Sequence, residues 1–249
     1  MTPLADIATA IRLLTVLPSG SAQGNHPARY FTWVGWLYGG VALALTSGAA
    51  YLNKADGIGA LFTAAVIVCA WTALSGCLHL DGLADCADAL GVRGDALRKL
   101  AAMRDSTVGA FGVVAIVLAL VVQVAAIALI IDSASWWALA AAPVLGRMGA
   151  AIALQTRAPA RPDGLAASYA VRESPLGYAI LLLPVAALMV LPPDAGRMLV
   201  TAAGAVAAVL VPGYFARRLG GITGDVLGAT VVVTETAVLC ICALAGGLT

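Results

Sequence analysis

The strongest constraint on the fold is a series of long apolar segments, because an α-helix needs roughly 20 apolar residues to cross a bilayer. Seven segments are of this kind, at residues 33–52, 58–78, 110–131, 135–154, 177–191, 198–215 and 226–248. In the whole chain 61% of residues are hydrophobic and 11% are charged, whereas about a quarter of the residues in soluble domains are charged. The sequence therefore predicts an all-α polytopic bundle of about seven transmembrane helices, one membrane-embedded domain over residues 1–249 that lies in the lipid bilayer.

The N-terminal residues 3–17 predict a short amphipathic helix with Ile7, Ile11 and Leu14 on its apolar side. This segment is too short and too polar to span a bilayer, so we expect it to lie at the membrane interface. A cleavable signal peptide is not expected, because Asp6 precedes the first positively charged residue and no charged region leads an apolar core.

Two of the predicted spans contain residues that shape helix packing. Gly35 and Gly39 are four residues apart in the first span, so they share a face and allow a neighbouring helix to approach closely. The fifth span is the shortest and contains Pro184, which favours a kinked or tilted helix.

The distribution of positive charge predicts the orientation of the bundle. The loops on the N-terminal side hold most of the 14 Lys and Arg residues, namely Arg12, Arg29, Arg93, Arg98, Lys99, Arg104, Arg157, Arg161, Arg172, Arg217 and Arg218. The opposite loops hold Lys54 and Arg197, and Arg147 lies within a span. The positive-inside rule then predicts a multi-pass protein of the cytoplasmic (inner) membrane, with its polar motifs facing the cytosol.

Composition also narrows the function. A net charge of +1 argues against nucleic-acid binding, which needs a strongly basic surface. The five cysteines form no CxxC pair, and with two histidines in the chain they do not make a zinc-ligand set. The sequence leaves the oligomeric state open.

Three acids mark the most informative stretch of the chain. Asp81, Asp85 and Asp88 are spaced i, i+4 and i+7, so on a helix they fall within roughly 60° of arc on one face. Such a face is either solvated or bound to a cation, and acids that enter a membrane bundle mark a functional site by default. Carboxylates are the ligands that Mg²⁺ prefers, commonly shared with substrate phosphates. We therefore predict that these acids bind Mg²⁺.

Charged residues on both sides of this helix add candidates for catalysis. Arg104 is placed to bind a phosphate with two hydrogen bonds. Asp105, the next residue, either caps the start of the third span or supplies a metal ligand or a base. His79 is a candidate ligand or base beside the acids, with a structural hydrogen bond as the alternative.

A second motif precedes the last span. Gly221, Thr223 and Gly224 form a glycine-rich turn into a helix N-terminus, where backbone N–H groups suit a phosphate. Asp225 lies inside the turn and is a further candidate metal ligand. The loop with Arg161 is also basic, which indicates either a substrate contact or only the orientation signal.

Two charges are predicted to lie deeper in the membrane. Arg147 is about 12 Å, and Glu235 about 15 Å, from the cytoplasmic ends of their spans at 1.5 Å per residue. An unpaired charge in a bilayer is costly. We therefore predict that these two residues form an ion pair.

These motifs together resemble a known family. The run HLDGLADCAD at residues 79–88, followed by Arg104-Asp105-Ser106, is similar to the acidic motif of the cobalamin synthase family (adenosylcobinamide-GDP ribazoletransferase). The run GITGDVLGAT at residues 221–230 resembles the C-terminal motif of that family. The chain departs from the pattern at residues 89–91, where a glycine is expected directly after the third acid, and at residues 231–233, which are less polar than expected.

The resemblance implies a late step of cobalamin biosynthesis. The ribose hydroxyl of α-ribazole, or of its 5′-phosphate, would attack the phosphorus of adenosylcobinamide-GDP and release GMP. Mg²⁺ held by Asp81, Asp85, Asp88 and Asp225 would bridge the diphosphate. Arg104 would position phosphate oxygens, as would the turn of Gly221, Thr223 and Gly224. Asp88, Asp105 or His79 would accept the hydroxyl proton.

Three other classes also use charged residues in membrane helices. A CDP-alcohol phosphotransferase expects an arginine soon after its first Asp-Gly, and none follows Asp81-Gly82 there. A prenyltransferase expects a second acid-rich motif, where this chain has Asp225 alone. A transporter would use Arg147 and Glu235 in its path, but the other motifs lie at one face rather than at the midplane.

Overall fold

The computed structural model describes residues 2–53, 55–104, 107–190 and 195–245, and within these ranges the chain is helical with no β-strand. The α-helices are Pro3–Leu14 (α1), Phe31–Tyr51 (α2), Gly57–Ser75 (α3), Leu78–Gly91 (α4), Ala96–Ala102 (α5), Ala110–Asp132 (α6), Ala138–Thr156 (α7), Leu165–Tyr169 (α8), Pro175–Val190 (α9), Ala195–Leu219 (α10) and Gly224–Ala245 (α11). A 3₁₀ turn, Pro27–Tyr30, leads into α2.

All seven segments predicted to span the membrane are helices, and their ends differ from the prediction by a few residues. In the described ranges five of them are long and apolar enough to cross a bilayer, namely α3, α6, α7, α10 and α11. Helix α2 has 21 residues but is less apolar, and α9 has 16 residues. The polytopic helical membrane fold is confirmed, and the count of seven spans stays a prediction.

The N-terminal helix differs from the prediction in its end and in its buried face. Helix α1 ends at Leu14, because Thr15 adopts an extended backbone and its hydroxyl bonds back to the carbonyl of Ile11 at 2.8 Å. Ala5, Asp6, Thr9, Ala10 and Leu14 form its buried face, whereas Ile7 and Ile11 are half-buried. Asp6 is buried because its carboxylate accepts a hydrogen bond from the backbone N–H of His26 at 2.9 Å, a tertiary contact that the local pattern does not reveal.

Helix α7 forms the centre of the bundle. In its apolar window 89% of the residues are buried, compared with 28% for α6, whose side chains are mostly exposed on the outer surface. Small residues allow this burial. A Cβ atom on Gly35 would lie 2.6 Å from the Cα atom of Val144, and one on Gly39 would lie 2.7 Å from the Cα atom of Ala140. The predicted close approach at these two glycines is confirmed, and the partner is α7.

Helix α9 is bound to α2 through backbone carbonyl groups in the turn before its proline. Pro184 has no N–H, so the carbonyl of Ile180 is free and accepts a hydrogen bond from Trp33 Nε1 at 2.9 Å. The carbonyl of Leu181 accepts one from the Thr32 hydroxyl at 2.7 Å. These polar contacts hold two helices together where lipid supplies no hydrophobic driving force.

The predicted ion pair between Arg147 and Glu235 is confirmed, and it lies buried between α7 and α11. The guanidinium group also lies 3.8 Å from the ring centroid of Tyr38 and donates a hydrogen bond to the carbonyl of Pro143 at 3.3 Å. Each charge is compensated inside the core, which is the condition for burying it.

Substitution of Gly39 by Val should destabilise the protein, because the new side chain would collide with the backbone of α7. The loss is expected to be on the order of 1–3 kcal/mol, as for other overpacked cores. Gly40→Val is the matched control, since no atom lies within 4 Å of its Cβ position. Thermal unfolding in detergent measures both variants, and equal midpoints would contradict the packing described.

Removal of one partner of the ion pair should cost more than removal of both. Arg147→Met and Glu235→Leu each leave an uncompensated buried charge and are expected to cost about 3–5 kcal/mol. The double variant should be more stable than either single variant. The yield of monodisperse protein and the unfolding midpoint measure this double-mutant cycle. Additive losses in the double variant would show that the two charges are not coupled.

Candidate functional site

The acidic run forms helix α4, as predicted, and presents its acids toward one side. Helix α3 ends where Gly76 and Cys77 adopt positive φ angles of 59° and 62°, so the chain turns sharply before α4 begins. Asp81 is exposed and Asp85 is half-buried. Cys86 is fully buried, so it packs on the opposite face, as expected for a residue with no chemical role.

Helices α4 and α11 approach each other at two glycines, and this contact brings Asp225 to the acidic face. A Cβ atom on Gly82 would lie 2.6 Å from the backbone oxygen of Asp225. A Cβ atom on Gly228 would lie 3.2 Å from the Cα atom of His79. A side chain at Gly82 would therefore force the helices apart, and one at Gly228 would be in unusually tight contact with α4. Two motifs that are far apart in the sequence become one site.

The electrostatics of this site confirm that its acids are close together. The pKa of Asp85 is raised to about 6, first by burial and then by the negative charges of Asp225, Asp81 and Asp88, in that order. The neighbouring carboxylates therefore disfavour the charged form of Asp85. A bound cation would relieve this repulsion.

The donor set fits a hard divalent cation such as Mg²⁺, because Asp81, Asp85 and Asp225 offer carboxylate oxygens on facing helices. A bound cation would also offset the repulsion between these carboxylates. In the described part of the chain, no three acidic, histidine or cysteine side chains converge closely enough to form a complete ligand set. Mg²⁺ binding therefore stays a prediction.

Asp88, a predicted ligand and base, has a clear structural contact. Its carboxylate accepts hydrogen bonds from the backbone N–H groups of Gly109 at 2.7 Å and Gly112 at 2.9 Å. These groups belong to the first turn of α6, which has no capping side chain of its own. Asp88 thus caps the next helix from outside it. The two glycines leave room, since a Cβ atom on either would lie 2.5 Å from a carboxylate oxygen.

The glycine-rich turn before α11 is shaped by a neighbouring loop. Gly221 has a φ angle of 147°, and a Cβ atom there would lie 2.7 Å from the backbone nitrogen of Ala160. The backbone of Ile222 pairs with residues 158 and 160 through two hydrogen bonds of 2.9 and 2.8 Å. The N–H of Gly221, predicted to bind phosphate, donates to the carbonyl of Ala216 at 2.9 Å. Gly221 therefore contributes the shape of the turn.

Thr223 serves as the cap of α11. Its hydroxyl accepts a hydrogen bond from the N–H of Val226 at 3.2 Å and donates to the Asp225 carboxylate at 3.1 Å. This second contact orients Asp225. Gly224, the other predicted phosphate contact, has open space around its Cβ position, with Leu165 nearest at 3.9 Å.

Arg161 is a residue for which the sequence left two alternatives open, a substrate contact or only the orientation signal. The pairing of residues 158–160 with Ile222 brings it beside Asp225, and both line a cavity of about 290 Å³. Arg161 also lines a second cavity of about 290 Å³ together with Arg104. Its basic loop was visible in the sequence, but positive charge alone did not distinguish a substrate contact from an orientation signal.

Two predicted site residues remain, His79 and Asp105, and the structure describes only His79. His79 lies against α11, is buried, and its Nε2 atom has no hydrogen-bond partner in the described part of the chain. The pKa of His79 is lowered to about 3, mainly by burial and to a smaller extent by the positive charge of Arg147. His79 is therefore neutral. Asp105 lies outside the described residues.

The helical bundle and its site define a polytopic membrane protein in which carboxylates on two crossing helices lie beside arginines, as expected of an integral-membrane transferase. The profile described as cobalamin-5-phosphate synthase matches residues 6–243. The chain belongs to that family, and the resemblance noted from the motifs is confirmed.

Individual relatives agree over most of the chain. An adenosylcobinamide-GDP ribazoletransferase from Pseudomonas aeruginosa (strain UCBPP-PA14) is 35% identical, with 97% of this chain and 98% of the relative covered. One from Stutzerimonas stutzeri (strain A1501) is 38% identical, with 74% of this chain and 75% of the relative covered. One from Corynebacterium efficiens is 31% identical over 96% of this chain and 91% of the relative. No solved structure matches the chain.

Substitution of Asp88 by Ala should lower the free energy of unfolding by about 1–2 kcal/mol, because it removes the cap of α6. Asp81→Ala is the matched control on the same helix, since Asp81 is exposed. Thermal unfolding of both variants in detergent measures the difference. If Asp88→Ala were as stable as Asp81→Ala, the two hydrogen bonds would contribute nothing to the fold.

Proposed function

We propose that this protein is an adenosylcobinamide-GDP ribazoletransferase. It transfers the adenosylcobinamide-phosphate group from adenosylcobinamide-GDP to a ribose hydroxyl of α-ribazole or its 5′-phosphate. A P–O bond forms to the hydroxyl oxygen, the P–O bond to GMP breaks, and the hydroxyl proton is lost. Family membership and relatives that carry this name over nearly their whole length support the proposal.

One observation carries the proposal most strongly, namely the contact between Gly82 and Asp225. It joins the acidic helix to the glycine-rich turn and brings Arg161 to the same place. A diphosphate substrate needs negative charge compensated and oxygens positioned. Carboxylates that can hold a cation and arginines that can bind oxygens are the groups for that task.

Asp81, Asp85 and Asp225 are the residues proposed to hold Mg²⁺, with Asp88 adding negative charge while it caps α6. The ion, when bound, would supply positive charge that offsets the charge of the diphosphate and of departing GMP. The hydrogen bond from the Thr223 hydroxyl fixes the orientation of the Asp225 carboxylate. The site is thereby ordered before the substrate arrives.

Arg104 and Arg161 are proposed to bind phosphate oxygens, because they line one cavity from two different loops. Arg161 is held by a 2.6 Å hydrogen bond from Nη2 to the carbonyl of Leu100, which leaves its other N–H groups for a ligand. Gly224 opens the adjoining helix end to a further oxygen.

Asp105 is proposed to accept the proton of the attacking hydroxyl. Of the other two candidates, Asp88 already accepts two backbone hydrogen bonds. His79 is buried, and its lowered pKa makes it a weak base at neutral pH. Asp105 is the remaining candidate, and it follows Arg104 directly in the sequence.

The protein is proposed to lie in the cytoplasmic (inner) membrane with this site facing the cytosol. The Lys and Arg residues of the chain are concentrated on the N-terminal side. A cytosolic site would have direct access to a nucleotide-activated substrate. The N-terminal helix α1 would lie at the same interface.

Wild-type protein reconstituted in lipid nanodiscs should release GMP from adenosylcobinamide-GDP when α-ribazole and Mg²⁺ are present, and lose this activity with EDTA. Asp81→Asn and Asp85→Asn should lower kcat on the order of 100-fold or more, as expected for groups at a metal site. Chromatographic measurement of GMP and cobalamin tests this.

Asp56→Asn is the control for these variants, because Asp56 is exposed, precedes α3 and makes no capping hydrogen bond. Membrane insertion should be normal in all three variants. No GMP release by the wild-type protein would overturn the proposed reaction, and full activity of both site variants would overturn the assignment of the site.

Arg161→Lys should raise KM for adenosylcobinamide-GDP about tenfold, because lysine keeps the charge but loses the planar pair of donors. Arg172→Lys is the control, since Arg172 is exposed in the same loop. Steady-state kinetics with saturating α-ribazole measure KM for both. Identical KM values in the two variants would argue against a phosphate contact at Arg161.

A further inference from the structure

The cavity beside Asp225 has a mainly apolar wall. It lies between the end of α1, the C-terminal half of α7, helix α8 and the first turns of α11, and its volume is about 290 Å³. Its larger apolar lining residues include Leu13, Phe31, Leu154, Leu165 and Tyr169. Along α11 the lining runs from Asp225 to Val231, about 9 Å at 1.5 Å per residue. One end of the cavity thus meets the acidic site and the other lies in the apolar core.

The polar groups in this wall are few and mostly bonded already. The Thr223 hydroxyl bonds to Asp225 and Val226, and Nη2 of Arg161 bonds to a backbone carbonyl. His79 also lines the cavity, and its buried Nε2 atom lacks a partner in the described ranges. A buried polar atom of this kind costs free energy until a ligand or water satisfies it.

We propose that this cavity binds the benzimidazole base of the ribazole nucleoside. The inference rests on the proposed function. It identifies the base of the nucleoside as the part of the substrates that occupies the cavity. A corrin ring with its side chains is too large for 290 Å³. Guanine carries several hydrogen-bonding groups on its edges, and this wall would leave most of them unsatisfied. A planar apolar base of two fused rings matches both the volume and the lining.

This placement also orients the rest of the nucleoside. With the base in the apolar end, the ribose lies toward Asp225, where its hydroxyl reaches the acidic site. Benzimidazole has one ring nitrogen free to accept a hydrogen bond, and the imidazole ring of His79, whose buried Nε2 atom lacks a partner in the described ranges, can donate an N–H. His79 thereby acts as a residue that selects the base.

The first test uses the wild-type protein in nanodiscs with three nucleosides. The base of α-ribazole is a benzimidazole with two methyl groups. The nucleoside that lacks these methyl groups should have a KM about tenfold higher than α-ribazole, as is typical when apolar contacts are removed. An indole nucleoside, which lacks the ring-nitrogen acceptor, should have a KM at least about tenfold higher again. KM for adenosylcobinamide-GDP should change less than twofold. Equal KM values for the three nucleosides would overturn the proposal.

The second test narrows the cavity. Leu165→Trp should raise KM for α-ribazole about tenfold and reduce the preference for the methylated base, because the larger ring occupies space that the methyl groups need. Leu176→Trp is the control, since Leu176 is exposed on α9 and does not line the cavity. An unchanged base preference in Leu165→Trp would count against the cavity as the base site.

Failure of this inference is distinguishable from failure of the proposed reaction. If the wild-type protein releases no GMP with any nucleoside, the reaction itself is wrong and the base site with it. If the wild-type protein turns over normally but neither base structure nor Leu165 affects the nucleoside KM, the reaction stands and the base binds elsewhere.

Discussion

The site depends on the close approach of α4 and α11 at Gly82 and Gly228. Because neither glycine has a side chain, the backbone of Asp225 reaches the acidic face of α4. The approach also has a cost, because burial and then the negative charges of the neighbouring carboxylates raise the pKa of Asp85. A protein that brings like charges together at the edge of an apolar bundle needs a ligand that relieves the repulsion. A divalent cation held by these carboxylates would supply the positive charge that does so.

A second contact makes the site more than an acidic cluster. Two backbone hydrogen bonds join the loop after α7 to Ile222. They bring Arg161 beside Asp225 and between two cavities. Negative groups that can hold a cation and a positive group that can bind phosphate therefore lie side by side. Opposite roles in one small volume are typical of phosphoryl-transfer sites.

The same sequence motif supports both fold and site, as Asp88 illustrates. Its spacing placed it with Asp81 and Asp85 as a metal ligand, yet its carboxylate caps α6 through Gly109 and Gly112. Helix capping and metal binding both require a carboxylate, so residue type and spacing alone do not separate them. The contact also explains why two glycines follow the Arg104 motif: they give the carboxylate room.

The sequence by itself determined the helical membrane class, the seven long apolar helices and the Arg147–Glu235 pair, because hydropathy and depth along a helix follow directly from local order. It also located the acidic helix and the glycine-rich turn, and its motifs indicated the family. Only the tertiary structure decided that Asp225 joins α4, that Arg161 belongs to the site and that α1 buries Asp6. These depend on contacts between residues far apart in the chain, which are set by backbone approach and hydrogen bonding rather than by periodicity.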